Sequence, residues 1–215
     1  MGVRLLTSKV EWGVMIAAIG ILAVVYVVRL RANAAHPQPP LIVELKQPRP
    51  GFVLDGATLA SGPQGTPVRI VEFFDYECPP CRNVRMSVLD TIRHHPKISF
   101  FAQRYPIKSH KHAKSLAEIG GSLTGSDLVQ FEAAAWTHTG DELDHVVKTW
   151  QAKLAKEKPG WEKAALQRVS TTQKIGDTCG IPGTPTLLVE DGRTGRLWQC
   201  NGTDALEKKI AQLQS

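Results

Sequence analysis

The sequence predicts an α/β domain preceded by a single membrane-spanning helix. Three observations carry that expectation. One apolar run, Trp12 to Val28, lies near the N-terminus. A β-rich segment, Val68 to Phe74, opens a strand–helix–strand pattern that ends with the strand Ile98 to Gln103. A long stretch with helical signals and no convincing strand, Lys111 to Gly176, then gives way to a hairpin and a last helix. The resulting order is βαβ, a block of helices, then ββα, and the first unit implies a parallel strand pair.

Composition supports one folded unit. The chain has 215 residues, 42% hydrophobic and 21% charged, which excludes wholesale disorder. A mean hydropathy of -0.15 excludes a multi-span membrane protein. The net charge is +6, but half of it flanks the apolar run, where Arg4, Lys9, Arg29 and Arg31 outweigh Glu11. The remaining basic residues are dispersed and lack aromatic interleaving, so no nucleic-acid partner is expected. Four cysteines are too few for a disulfide scaffold, yet their even number permits pairing.

Trp12 to Val28 carries no charge and spans roughly 25 Å as a helix, near the lower limit for crossing a bilayer. Trp12 and Tyr26 lie near its ends, where interfacial aromatics are favoured. Residues 1–34 therefore read as a signal-anchor with its spanning part at about 12–28. A cleavable signal peptide is the rival, because Ala32-Asn33-Ala34 resembles a cleavage site. Both readings place the remainder outside the cytoplasm. Residues 35–51 are proline-rich and read as a stiff tether, with Leu41 to Leu45 as either an edge strand or linker. The folded domain is expected over 52–215, with its helical insertion at about 108–178.

Val68 to Phe74 (VRIVEFF) follows the Gly62-Pro63-Gln64-Gly65 turn and is rich in β-branched and aromatic residues, as a buried strand requires. The next segment, Pro79 to His94, reads as a helix whose prolines sit in the first turn, where a missing N–H costs least. Helices are expected near Ala113–Gly120, Ser126–Thr137, Glu142–Lys156 and Trp161–Ile175, punctuated by glycine pairs and Pro159-Gly160. Thr186 to Glu190 and Arg196 to Gln199 flank the turn Asp191-Gly192-Arg193-Thr194-Gly195. Thr203 reads as the cap of a final amphipathic helix presenting Leu206, Ile210 and Leu213.

The chemistry is carried by Cys78-Pro79-Pro80-Cys81. It lies between a strand and a helix, so Cys78 is placed at a helix N-terminus, where unpaired N–H groups and the helix dipole favour thiolate. The spacing puts Cys81 one turn on, within reach for a disulfide. Cys78 would attack or be attacked, and Cys81 would resolve the mixed disulfide. A stable disulfide or half of a zinc site uses the same pattern, but a zinc site normally wants a second close pair. Cys179 and Cys200 are far apart in sequence, and no metal is expected.

The stretch from Thr66 to Cys81 (TPVRIVEFFDYECPPC), with Gly183-Thr184-Pro185-Thr186 before a strand, resembles the DsbA-type thiol-disulfide oxidoreductases. That resemblance covers roughly Phe52 to the C-terminus. It implies a thioredoxin-like fold with an inserted all-helical subdomain and exchange chemistry that needs no cofactor. It also implies that Pro185 is cis and faces the sulfurs. Thr184 and Pro185, together with Pro79 and Pro80, would then meet an extended substrate by strand addition. Glu72 matches the family's acidic residue beneath the cysteines. A carboxyl inside VRIVEFF is costly unless paired or protonated, and a raised pKa would suit it to relay the proton of Cys81. The alternative is a strand-edge residue pointing at solvent.

Strong oxidants of that family carry a histidine where Pro80 stands. Its loss, and the negative charge of Glu77 beside Cys78, imply a milder oxidant. Cys179 and Cys200 are expected to form a structural disulfide, as some DsbA-like proteins have, with electron exchange with Cys78/Cys81 as the alternative. His110 and His112 read as solvated.

With the anchor read from the apolar run, the resemblance implies a monomeric, membrane-anchored dithiol oxidase acting on secreted or envelope proteins and reoxidised by a separate membrane redox partner. A reductase or isomerase of the same fold and a non-enzymatic metal-binding assembly module are the rivals. Isomerases of related fold dimerise through an added N-terminal domain, for which residues 35–66 are too short and too proline-rich.

Overall fold

A computed structural model describes residues 18–26 and 41–215. Residues 18–26 are helical (α1) with exposed side chains. The rest of the expected anchor, and the start of the tether, lie outside the described residues. Among the described residues, no helix is long and apolar enough to cross a membrane. The chain divides into two compact units at Pro40/Leu41, and the second holds all the chemistry.

That unit is built on one six-stranded sheet, in the order β1-β6-β5-β3-β4-β2. The strands are β1 (Ile42–Leu45), β2 (Thr58–Ser61), β3 (Val68–Phe74), β4 (Ser99–Arg104), β5 (Thr186–Asp191) and β6 (Leu197–Cys200). β3 and β4 are parallel, joined across α2 (Pro79–His94). All other pairings are antiparallel. The central strand is apolar on both sides because both faces are covered. Val68 and Ile70 pack with Val88 and Ile92 of α2 and with Leu206 and Ile210 of α7 (Thr203–Gln214). Val71 and Phe73 point the other way, toward Ile175 of α6 (Trp161–Cys179) and Val53.

Between β4 and β5 the chain forms the expected helical block: α3 (Ala113–Gly120), α4 (Gly125–Thr137), α5 (Glu142–Glu157) and α6. Its core contains Leu116, Phe131, Leu143 and Leu154 and is continuous with Phe74, Tyr76, Cys78 and Cys81. The cysteine pair therefore sits at the seam between sheet and insertion.

Four expectations change. The tether does not reach residue 51: β1 pairs with β6 from Ile42↔Cys200 to Leu45↔Leu197. The following turn is pinned by Glu190, whose Oε1 accepts from Gln47 Nε2 at 2.8 Å and from Gly51 N at 2.5 Å. Prolines flank this strand instead of interrupting its ladder, so pairing is allowed. β2 was not foreseen; it is a short edge strand on β4 with a register break between Leu59 and Ser61. Thr203 starts α7 but does not cap it: Gly202 holds the cap position, with φ 95, and no side-chain cap bond forms.

The fourth change concerns Cys179 and Cys200. Both are free thiols, and they lie in different layers. Cys179 packs with Val71 and Leu188 beneath α6, whereas Cys200 packs with Leu187 and Val189 beneath α2 and α7. The sheet separates them, so the expected disulfide is not made. Burial raises both pKa values, that of Cys200 to about 11, which suppresses thiolate reactivity. Neither belongs to the cluster around Cys78 and Cys81.

Candidate active site

Val68–Phe74 ends at the turn Asp75-Tyr76-Glu77-Cys78, and the backbone N–H of Cys78 closes it onto the Asp75 carbonyl at 3.2 Å. Cys78 is the N-cap of α2 (φ -70, ψ 115), with prolines in the first two helical positions. Proline tolerates those positions because their N–H groups have no intrahelical acceptor. Pro79 and Pro80 are exposed at the rim. Cys78 is 5% exposed and Cys81 is 0% exposed; both are free thiols.

The Thr184–Pro185 bond is cis, as the resemblance implies. The Thr184 carbonyl accepts from Cys78 Sγ at 3.2 Å, so this loop and the cysteine turn face each other directly. Below Pro185, a cavity of about 240 Å³ opens between α2 and the β5–β6 edge, lined by Val84, Ser87, Leu187, Gln199 and Cys200.

The two sulfurs differ. Burial, reinforced by the neighbouring Cys78 against favourable hydrogen bonds, pushes the Cys81 thiol far above its ordinary value. Cys78 donates to the Thr184 carbonyl, and a hydrogen bond to Thr184 also acts on Cys81. Cys78 retains the slight exposure of the pair, and Cys81 is fully buried behind it.

Glu72 lies on the α2 side of the sheet. Its register partners are Ala102 and Leu187, and its neighbours on that face of β3 are Ile70 and Phe74. It is 1% exposed, and Oε1 has no hydrogen-bond partner. Desolvation raises its pKa to about 7, against the opposing pull of Arg85 and with a contribution from Glu132. The solvent-facing alternative is therefore excluded, and a carboxyl that is half protonated near neutrality sits beneath the cysteine helix.

The seam itself is polar. Arg85 binds Glu132 at 3.1 Å and lies over the Trp136 ring at 4.6 Å. Arg104, 7% exposed, donates to Tyr76 Oη at 2.9 Å, to Thr58 at 3.0 Å and to Glu132 at 3.1 Å. Arg82 donates to the carbonyls of Ala135, Trp136 and His138 at the end of α4. Arginine suits this place because one guanidinium serves several acceptors in fixed directions.

Sequence reasoning missed a second set. Asp75 Oδ1 accepts from Glu77 N at 2.8 Å, and Oδ2 accepts from Ile107 N at 2.8 Å and meets His110 Nδ1 at 2.8 Å. Glu77 is bound by His112, whose backbone N–H reaches Oε2 at 2.6 Å and whose Nδ1 reaches Oε1 at 3.0 Å. His112 is only 6% exposed, so the expectation of solvated histidines is corrected. Glu77 is no longer a lone charge beside Cys78. The available signal was a matched spacing: two acids at i, i+2 and two histidines at i, i+2. Among the described residues, no group of His, Cys, Asp and Glu side chains is arranged to hold a metal ion.

The chain matches the Thioredoxin family over residues 55–199. No curated protein sequence matches it. Among solved structures, it resembles the thiol-disulfide exchange protein α-DsbA2 from Wolbachia pipientis at 21% identity and a TM-score of 0.59, covering 76% of this chain and 90% of that one. A periplasmic thioredoxin-like protein from Salmonella enterica serovar Typhimurium aligns at 17% identity and a TM-score of 0.60, over 79% of this chain and 100% of that one. The catalytic domain of Proteus mirabilis ScsC gives 15% and 0.59, over 76% and 93%. The family match over most of the chain and the Cys78/Cys81 pair facing a cis-proline lead to one assignment: the chain belongs to the thioredoxin family, as a thiol-disulfide oxidoreductase with a helical insertion between β4 and β5.

Proposed function

We propose that the protein is a dithiol oxidase that donates the Cys78–Cys81 disulfide to extracytoplasmic proteins. The observation that carries this reading is the asymmetric pair at the α2 N-terminus, with Cys78 set 3.2 Å from the Thr184 carbonyl and Cys81 buried beneath it. In the oxidised protein, a substrate thiolate attacks Cys78 Sγ and the Cys78–Cys81 bond breaks. Cys81 leaves as a thiolate and takes a proton from Glu72. A second substrate thiolate attacks the substrate sulfur of the mixed disulfide and expels the Cys78 thiolate. The substrate loses two electrons and the cysteine pair gains them. A membrane redox partner then removes them to restore the disulfide.

The Thr184–Pro185 edge offers backbone groups to an extended substrate, in the strand-addition mode, with Pro79 and Pro80 along the rim. The 240 Å³ cavity below Pro185 is large enough for a substrate side chain. Extracytoplasmic location rests on the apolar run at residues 12–28, read as an anchor, and on the oxidising environment that persistent disulfides need. The periplasmic description of the Salmonella neighbour points the same way. Against the isomerase reading, β1 and β2 use residues 42–61 within the sheet, which leaves no separate dimerisation domain between 35 and 66.

Replacing Cys81 with Ser blocks resolution and captures mixed disulfides on Cys78. Several cysteine-containing envelope proteins among the captured species, with the wild-type pair mostly oxidised in cells, are expected for an oxidase. A mostly reduced pair overturns that direction in favour of a reductase or isomerase.

A further inference from the structure

We propose that His112 is a positioning residue for thiol exchange: an imidazolium clamped between Glu77 and Asp144 that cancels the carboxylate charge beside Cys78 and holds the turn carrying it. The inference rests on Cys78 as the exchanging thiol and goes beyond the cysteines, Glu72 and the cis-proline loop.

The geometry identifies the protonation state. His112 Nδ1 lies 3.0 Å from Glu77 Oε1, and Nε2 lies 2.9 Å from Asp144 Oδ1. Carboxylates only accept, and a neutral imidazole has a single N–H. Both contacts are hydrogen bonds when both ring nitrogens donate, which is the charged form. Burial opposes that charge, but the two carboxylates outweigh it and the His112 pKa is raised.

The clamp is anchored at each end. Glu77 has both oxygens held by His112, one by the ring and one by the backbone N–H at 2.6 Å. Asp144, on α5, also accepts from Lys111 at 3.0 Å, and Lys111 reaches Asp141 at 3.5 Å. On the other side of the turn, His110 and the Ile107 N–H hold Asp75, whose carbonyl receives the Cys78 N–H. The groups facing His112 are thus Glu77 from the cysteine turn and Asp144 from α5, with Lys111 and Asp141 behind Asp144. Without the imidazolium, Glu77 presents an uncancelled negative charge one residue from Cys78, and a nearby like charge disfavours thiolate.

The test reads the alkylation rate of Cys78 against pH in the full-length reduced protein. His112→Gln keeps a side-chain donor but removes the charge. Its Cys78 titration is expected to move up by about one unit, a tenfold lower thiolate fraction at acidic pH. The exchange equilibrium with glutathione moves toward the protein disulfide. Adding Glu77→Gln removes the opposing charge, and the double variant is expected to return to within ~0.3 units of wild type. A purely structural His112 gives an unshifted titration in the single variant, or a double variant no better than the single, and either result overturns the proposal. Asp144→Asn provides a check that leaves the turn intact. Wild type should show a second inflection as His112 loses its proton, and this variant should move it to lower pH; an inflection that stays in place also overturns the proposal. These readings need only the Cys78 thiol, so they remain valid if substrate capture fails and the oxidase direction is wrong.

Discussion

Glu72→Gln isolates the cost of keeping an ionisable group beneath the cysteine helix. The carboxyl is 1% exposed, and its pKa is raised from 4.5 to about 7, chiefly by desolvation. In the unfolded chain the group ionises near its ordinary value. Between those two values the native state binds more protons than the unfolded state, so stability falls as pH rises. Below pH 4.5 the side chain is neutral in both states and carries no such penalty. Above pH 7 the penalty is complete, about 3 kcal/mol from the size of the shift. A neutral glutamine removes that pH-dependent part. Urea unfolding of the reduced protein should show Glu72→Gln gaining about 3 kcal/mol on wild type between pH 4.5 and pH 8. The same variant should form mixed disulfides with substrate thiols more slowly near neutral pH, because the departing Cys81 thiolate loses its proton donor. A stability difference that stays constant over that range refutes the burial argument. An unchanged rate of mixed-disulfide formation with the stability effect intact refutes the relay alone.

Three other outcomes follow from the packing. Gly120→Ala should destabilise the protein by roughly 1–3 kcal/mol in thermal or urea unfolding, although alanine is the better helix former. Its methyl would meet Tyr76 Oη at 2.5 Å and Arg104 Nε at 2.7 Å. Arg104→Met leaves the buried Tyr76 hydroxyl without its donor and removes one cation from Glu132, for a loss near 3 kcal/mol; Arg85 stays on Glu132 and keeps the cost at the low end. Peptide mapping of the oxidised protein without reductant should find Cys78 joined to Cys81 and free thiols at Cys179 and Cys200; a Cys179–Cys200 peptide would contradict the placement of those residues on opposite faces of the sheet.

The fold was legible where local signals agree with burial. VRIVEFF read as a buried strand from its β-branched and aromatic residues, and six of its seven residues are buried. Pro79 and Pro80 marked the start of α2 because only a helix N-terminus accepts two prolines without losing hydrogen bonds. The helices of the insertion were bounded by glycines that the structure places at their ends, as at Gly121 and Gly160, though α6 runs past the expected Ile175 to Cys179. β2 gave too little to read: two of its four residues are exposed, and it rests on a single neighbour. The edge strand at Ile42 was open between two readings because its pairing partner, β6, lies far along the chain.

The cysteines show where local reading ends. Cys78 and Cys81 were assignable because their chemistry is local: one helix start, one turn of spacing. Cys179 and Cys200 depend on two non-local facts. One is the parity of β6, which pairs Cys200 with Leu187 and so turns it toward α2. The other is the layer chosen by α6, which takes Cys179 beneath the opposite face. Nearness to the same end of a sheet does not bring two sulfurs together when the sheet stands between them. The same distinction explains the histidines. Ser109-His110-Lys111-His112 looks solvated when read alone, because nothing within it pairs with an imidazole. Its partners, Asp75 and Glu77, are brought to it by the parallel β3–β4 pairing, which sets the ends of both strands side by side: Phe74 opposite Arg104, with the Tyr105 N–H on the Phe74 carbonyl at 2.8 Å. That register makes the loop after β4 the neighbour of the cysteine turn, and through it the chain supplies positive charge to a site whose own dipeptide, Pro79-Pro80, has none.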